Sequence, residues 1–203
     1  MSEAQSRGES VARESTEEEI IAYTIGEPEV LASSIAIAEY DPGWPQLFER
    51  EAKRVRSILG DQILQLEHVG STSVPGLAAK PKIDMVLALP DSGDEARYVA
   101  LMENGGFVLR IREPEWFEHR LFKGPDTDIN LHVFSFGCSE IDRMLGFRDW
   151  LRTHDHDRLL YERTKRDLAS RTWKYTQNYA DAKNAVVDEI AARAGLTERV
   201  RGT

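Results

Sequence analysis

The residues best placed by type and spacing to do chemistry lie in one stretch, EHVGSTSVPGLAAKPKIDMVLAL, residues 67–89. Gly70 lets backbone approach a ligand closely, and Ser71, Thr72 and Ser73 offer hydroxyls beside it. Exposed backbone N–H groups at the start of a following helix favour an anion. Twelve residues separate Ser71 from Asp84, the one acid in an otherwise apolar run. A carboxylate there can hold Mg2+ or Mn2+ against bound phosphates. The alternative is structural. Ser71 then caps a strand-to-helix turn, and Asp84 pairs with Lys80, Lys82 or Arg120, because an unpaired charge in an apolar strand is costly. Neither G-x-x-x-x-G-K-[ST] nor G-x-G-x-x-G occurs, so the P-loop and the dinucleotide fingerprint lack their residues.

A second polar set lies in DINLHVF. Side chains alternate on a strand, so Asp128, Asn130 and His132 share one face and Ile129, Leu131 and Val133 the other. Neutral imidazole is both a metal ligand and a general base, which makes His132 a candidate for either, with a hydrogen-bonded structural histidine as the alternative. Glu67 and His68 flank the glycine corner, and only one of them can face a cleft. THDHD, residues 153–157, has the composition of a metal site but separates two helical patterns. Helix-capping Asp and solvated His is its better reading. Cys138 has no base near it in sequence and reads as a buried thiol. Trp116, Phe117, Trp150 and Trp173 read as packing.

These residues need elements to hold them. A capping-box pattern, Ser15 and Thr16 ahead of Glu18 and Glu19, predicts a short helix over EIIAYTIG. SIAIAEY, residues 34–40, alternates and predicts a strand. Residues 44–59 carry Trp44, Leu47, Phe48, Val55, Ile58 and Leu59 on one helical stripe, with Pro45 in the first turn and Gly60 at the exit. ILQLEHVG predicts a strand entering the corner, and KIDMVLAL, nearly all apolar, a central one. DEARYVALMENGG predicts a helix and FVLRIR a strand. EHRLFKG and INLHVFSF, joined by PDTD, predict an antiparallel pair. From Ser139 onward three helical segments follow and strand patterns stop. The sum is an α/β (α+β) chain with a mixed sheet and a helical C-terminal part. The expected division is an acidic disordered tail over 1–14, a helical arm over 15–33, a core over 34–138, a helical subdomain over 139–195 and a flexible tail over 196–203.

The stretch EHVGSTSVPGLAAKP, with YDPGWPQLFEREAKRVRSILGD before it and NLHVF and YADAK after it, resembles the GrpB family. The resemblance runs from about Glu17 to Gly195. That family is similar to the nucleotidyltransferase superfamily, whose signature places Gly-Gly or Gly-Ser about ten residues before Asp-apolar-Asp/Glu. The resemblance implies a nucleotidyltransferase-like core acting on a nucleoside triphosphate with Mg2+ or Mn2+. In that picture Gly70, Ser71, Thr72 and Ser73 hold phosphates, and Asp84 holds the metal. His132 or Asp128 completes the shell or acts as base. Lys80, Lys82, Arg120, Lys165 and Lys183 meet charge, and Tyr179, four residues before Lys183 on a helical face, stacks on a base. A surface Tyr-Lys pair is the alternative for the last two. Related domains attached to dephospho-coenzyme A kinases point to a nucleotide or a protein partner. The sequence also departs from the active pattern. Val86 stands where a second acid is expected, and the third strand brings His132 instead of a carboxylate. Two-metal transfer needs several carboxylates, so the second expectation is a binding module that keeps the cleft without the chemistry.

Bulk properties agree with a cytoplasmic protein. Composition is 41% hydrophobic and 30% charged, and the one cysteine excludes an internal disulfide framework. No signal peptide or membrane-spanning run is legible. Net charge is −9, of which residues 1–33 hold eight Glu against two Arg. The rest is nearly neutral, which disfavours a nucleic-acid-binding protein.

Overall fold

The computed structural model describes residues 14–31 and 35–196. The acidic segment predicted to be disordered lies outside the described residues except for Glu14, as do residues 197–203 at the other end. Helix α1 spans Glu17–Tyr23 and opens with the expected capping box, Thr16 and Glu19 exchanging side-chain and backbone hydrogen bonds. Helix α2 spans Trp44–Leu59 with Pro at its start. Strands β1 (Gln65–Val69), β2 (Ile83–Leu89), β3 (Val108–Glu113), β4 (His119–Lys123) and β5 (Ile129–Ser135) follow, with the short helix α3 at Val99–Asn104 ahead of β3. Helices α4 (Ser139–Thr153), α5 (Asp155–Ala169), α6 (Thr176–Ala182) and α7 (Asn184–Arg193) complete the chain.

The five strands form one mixed sheet in the order β1-β2-β5-β4-β3. β2 and β5 run parallel and the other pairs antiparallel. β2 is paired on both sides, as its nearly continuous apolar run requires. One sheet face carries Leu66, Met85, Leu87, Leu131, Val133, Phe122 and Leu109, and it buries them against α2 and α3 with Trp44, Phe48, Val55 and Met102. The stripe read from residues 44–59 is the reason: the apolar side of α2 needs an apolar sheet face. On the opposite face Val69, Val86, Ala88 and Phe134 pack on Ile141 of α4. That face also carries Asp84, Asn130 and His132, in the register Asp84↔Asn130 and Val86↔His132.

Two expectations are corrected. The segment at 34–40 is not a strand; among its described residues only Ala38 makes a bridge, to Ala79. Its alternation has another cause: Ile35, with Ile37 packed beside it, lies on a cluster of Leu168, Ala169 and Tyr179, so the half-buried surface is helical. The last helical segment is two helices, α6 and α7, divided at Lys183, whose N–H still bonds the Ala180 carbonyl. Among the described residues no helix is long and apolar enough to cross a membrane.

Candidate functional site

The site begins where β1 ends. Val69 is paired with Asp84, and Gly70 follows at φ 69° and ψ −173°, a region closed to residues with a side chain. A Cβ at Gly70 would lie 2.9 Å from the Cβ of Asp84 and collide with its carboxylate. Glycine therefore serves two needs: the turn, and the close approach of the acid to the backbone. One 3₁₀ turn, Ser71–Ser73, follows. Its hydroxyls are largely committed. Ser73 Oγ donates to the Gly70 carbonyl (2.6 Å), and Thr72 Oγ1 donates to the Lys82 carbonyl (3.1 Å) while meeting His68 Nε2 (3.0 Å). Arg152 of α4 donates through Nε and Nη2 to the Ser73 carbonyl at 3.1 and 2.8 Å. The Ser71 side chain hydrogen-bonds the Tyr161 phenol of α5. Thr72 and Ser73 are buried, so they brace the corner, contrary to the expectation that they offer hydroxyls to a ligand.

Around Asp84 the charges are mostly positive. Asn130 Nδ2 donates to Asp84 Oδ1 at 2.8 Å, and Lys123 Nζ donates to Asn130 Oδ1 at 2.7 Å. Burial pushes the Asp84 carboxyl above the usual aspartate range, and Lys183, Lys82 and Lys123 oppose that shift through their charge. Lys82 Nζ lies 2.9 Å from Asp128 Oδ1. Lys123 is pulled down to about 8 by burial and then by the neighbouring Lys82 cation. Lys165 is 2% exposed, donates to the Ala78 carbonyl at 2.5 Å and stands over the Tyr161 ring, 4.8 Å from its centre. Burial first, and the Lys183 cation second, bring it down to about 7. Lys183 lies over the Tyr179 ring at 4.7 Å. Lys80 stands at the rim, close enough to act on Glu29. Four lysines from the β2 approach, β4, α5 and the α6–α7 junction thus act on one carboxylate.

His132 is on the same face, one side-chain step from Asp84, as its alternation predicted. Its Nδ1 lies 3.0 Å from His119 Nε2, and His119 Nδ1 lies 2.6 Å from Glu113 Oε2. Asp128 is committed to Lys82 and largely exposed. Glu67, and not His68, takes the Asp84 face, where it pairs with Arg148; His68 stacks on Phe48 beneath the sheet. Two predicted binding residues lie elsewhere. Arg120 falls on the α2–α3 face, because its register partner is Val133, and it pairs there with Glu95 at 2.5 Å and Glu118 at 3.1 Å. Tyr179 is 4% exposed, packed among Ile35, Leu168 and Trp173, so its ring is core and not a stacking platform. In the THDHD segment His154 stacks on Trp150, and Asp157 pairs with Arg193 at 2.7 Å. Lys123 and Tyr161 were missing from the sequence-derived set, and Asn130 was named on the polar face without a role. Strand parity pointed to Asn130, and the i, i+4 spacing of Tyr161 and Lys165 was the signal for the tyrosine.

The divalent cation expected from the sequence would have to be held by these donors. Among the described residues no three His, Cys, Asp or Glu side chains come together in a metal-holding group. His132 is held by His119, and Asp84 is capped by Asn130 and surrounded by ammonium groups. Hard cations need several oxygen ligands, so this donor set does not fit a metal cage built by the protein.

A family model described as "GrpB protein" matches residues 34–193. A UPF0157 protein of Halalkalibacterium halodurans is 62% identical over 182 residues, covering 90% of this chain and 93% of that one. A UPF0157 protein of Streptomyces coelicolor is 41% identical over 175 residues, covering 86% and 91%. The crystal structure of the conserved protein GrpB from Enterococcus faecalis superposes with a TM-score of 0.68 at 32% identity, covering 78% of this chain and 96% of that one.

Proposed function

For this chain, which belongs to the GrpB family, we propose that the sheet face beside Gly70 and Asp84 binds a nucleotide or another phosphate-bearing small molecule, with lysine ammonium groups meeting its charge. The observation that carries this reading is the convergence of Lys82, Lys123, Lys165 and Lys183 on one carboxylate. Holding like charges together in a desolvated place costs free energy, and an anion there removes the cost. Two of the four are already driven toward their neutral forms. The close backbone approach at Gly70 is taken by the Asp84 carboxylate, so the lysines carry the anion reading. Nucleotidyl transfer, which the family's likeness to nucleotidyltransferases implies, calls for further carboxylates, and the position two after Asp84 is the buried Val86. The reading is therefore binding, with any cation arriving on the ligand's own phosphates.

A thermal-shift panel of ATP, GTP, CTP, UTP, AMP and pyrophosphate, each with Mg2+ and with EDTA, tests it. A ligand at a hundred times its Kd adds about 2.7 kcal/mol of stability. Stabilisation that survives EDTA and is lost in a Lys123→Gln/Lys183→Gln variant is the expected result. No shift with any of these, or a shift that the variant keeps in full, would sink the proposal.

A further inference from the structure

At the end of the sheet away from Asp84 the fold leaves a cavity of about 480 Å3. Asp84 lies near the start of β2 and Leu89 at its end, about 17 Å further at a rise of about 3.3 Å per residue. The topology opens this end. β2 and β5 are neighbouring parallel strands. The chain leaves β2 toward Tyr98 and α3 on the α2 face, where Met102 is buried, and leaves β5 toward α4 on the other face, where Ile141 is buried. Adjacent parallel strands whose connections part in this way leave a crevice outside their carboxyl ends, the common place for a ligand in an α/β sheet. The inner wall of the cavity is Leu59, at the end of α2, with Leu89 and Tyr98. The Tyr98 phenol donates to the Ser92 carbonyl at 2.7 Å, so the polar group of this wall is already committed. Three exposed charged side chains complete the lining. Asp61 comes from the 3₁₀ turn Gly60–Gln62, Asp91 from the residues just after β2 and Arg97 from the 3₁₀ turn Glu95–Arg97.

We propose that this cavity is a second binding site, for a small zwitterion with an apolar body, of the size and chemistry of an apolar dipeptide. The volume lies in the range of pockets that enclose drug-sized molecules, and an apolar wall with a few polar groups at the opening is their usual build. The charges choose the ligand. Asp91 Oδ1 accepts from the Gly93 N–H at 2.8 Å. The side chains of Asp61 and Arg97 take part in no hydrogen bond or ion pair among the described residues, so carboxylate and guanidinium stand apart with their charges unmet. An ammonium group donates to Asp61 and to the second oxygen of Asp91. A carboxylate takes the planar fork of Arg97. A phosphate compound would bring its charge against two carboxylates and one guanidinium, and a polyamine would meet Arg97 with like charge. A molecule with one group of each sign satisfies all three residues, and its apolar side chains then lie on Leu59, Leu89 and the Tyr98 ring. This site and the phosphate site at Asp84 are independent of each other.

Titration of the 15N-labelled full chain with the dipeptide Leu-Leu, followed by amide NMR, tests it. The amides of Asp61, Leu89, Asp91 and Arg97 should shift in a saturable way, and those of Gly70 and Asp84 should not. Arg97→Gln and Asp61→Asn should each weaken binding at least tenfold. Both side chains are exposed and unpaired, and the same spectra show that the variants are folded. Leu-Leu acetylated at its N-terminus and amidated at its C-terminus keeps the apolar body without the charges, and it should bind the wild type at least tenfold more weakly. That comparison decides the matter even if a variant fails to fold. No shift at the four amides with millimolar Leu-Leu overturns the proposal. So does a blocked dipeptide that binds as well as the free one, or an Arg97→Gln variant that binds as tightly as the wild type.

Discussion

At the scale of single residues, the sign of the Asp84 shift sets the first expectation. Burial raises its pKa in the folded state. A raised folded-state pKa gives stability that is whole below the unfolded value and lost as pH rises through the folded one. Ionised Asp84 therefore opposes folding at neutral pH, and Asp84→Asn should unfold at the same or higher urea concentration at about pH 7. The gap should close toward about pH 3, where Asp84 is mostly protonated in the folded and unfolded states alike. The same variant should bind nucleotide at least as tightly as the wild type, because a negative charge leaves an anion site. A tenfold loss of Mg2+-dependent binding, about 1.4 kcal/mol, would instead place a cation on Asp84. The lysines give the opposite linkage. Lys165 at about 7 and Lys123 at about 8 are partly neutral in the empty site, and a bound phosphate favours their charged forms. Binding at about pH 8 should therefore take up protons. Calorimetry in buffers of different ionisation enthalpy would show it, and a buffer-independent enthalpy would contradict it.

At the scale of elements, the corner between β1 and the 3₁₀ turn is the most constrained piece of backbone. Gly70→Ala has to force a glycine-only conformation, at a cost of about 1–3 kcal/mol, and it also drives a methyl into Asp84. Denaturant midpoints should show that Gly70→Ala is less costly in an Asp84→Ala background. The contact is then gone and only the backbone term remains. Equal costs in both backgrounds would mean that the carboxylate moves away freely. Helix α2 and strands β1 to β5 were legible because their periods of 3.6 and 2 reflect burial on one face, and α2 lies where its stripe places it. Residues 35–40 show where that logic stops. Alternation reports a half-buried extended chain, and it does not say whether a sheet or a pair of helices covers it.

At the scale of the molecule, the strand-rich and helical halves share their packing. Val74 and Leu77, just past the corner, are buried with Leu151, Tyr161, Val186 and Ile190 of the helices. Helix α1 ties the two halves. Ile20 is 2% exposed, Ser15 N–H donates to Asp181 at 2.8 Å, and Glu17 meets Lys174 at 2.5 Å and Tyr175 at 2.7 Å. Thr24 bridges to Ile111 of β3. Unfolding should accordingly be one cooperative transition, coincident for a Trp44-only variant reporting on the sheet layer and a Trp173-only variant reporting on the helices. Ile20→Ala should lower the stability read from the common transition by about 2–4 kcal/mol. Two separated transitions, with only one of them moved by Ile20→Ala, would show that the halves fold independently.

The amino-acid sequence alone determined the family, the mixed sheet with its helical end, the corner at Gly70 and the side of β5 on which Asn130 and His132 lie. Each of these is a local matter: a periodicity, a glycine beside hydroxyl residues, a parity along one strand. Tertiary structure decided what the charges do. Arg120 and Lys123 are three residues apart on one strand, so parity places them on opposite faces; which face holds Asp84 depends on the register of β4 against β5. Lys165 and Lys183 reach the site only because α5 and the α6–α7 junction return over the sheet. Glu113, His119 and His132 become a chain only when three strands align. Electrostatic and hydrogen-bond energies depend on distance and burial between segments far apart in sequence, and those distances exist only in the folded chain.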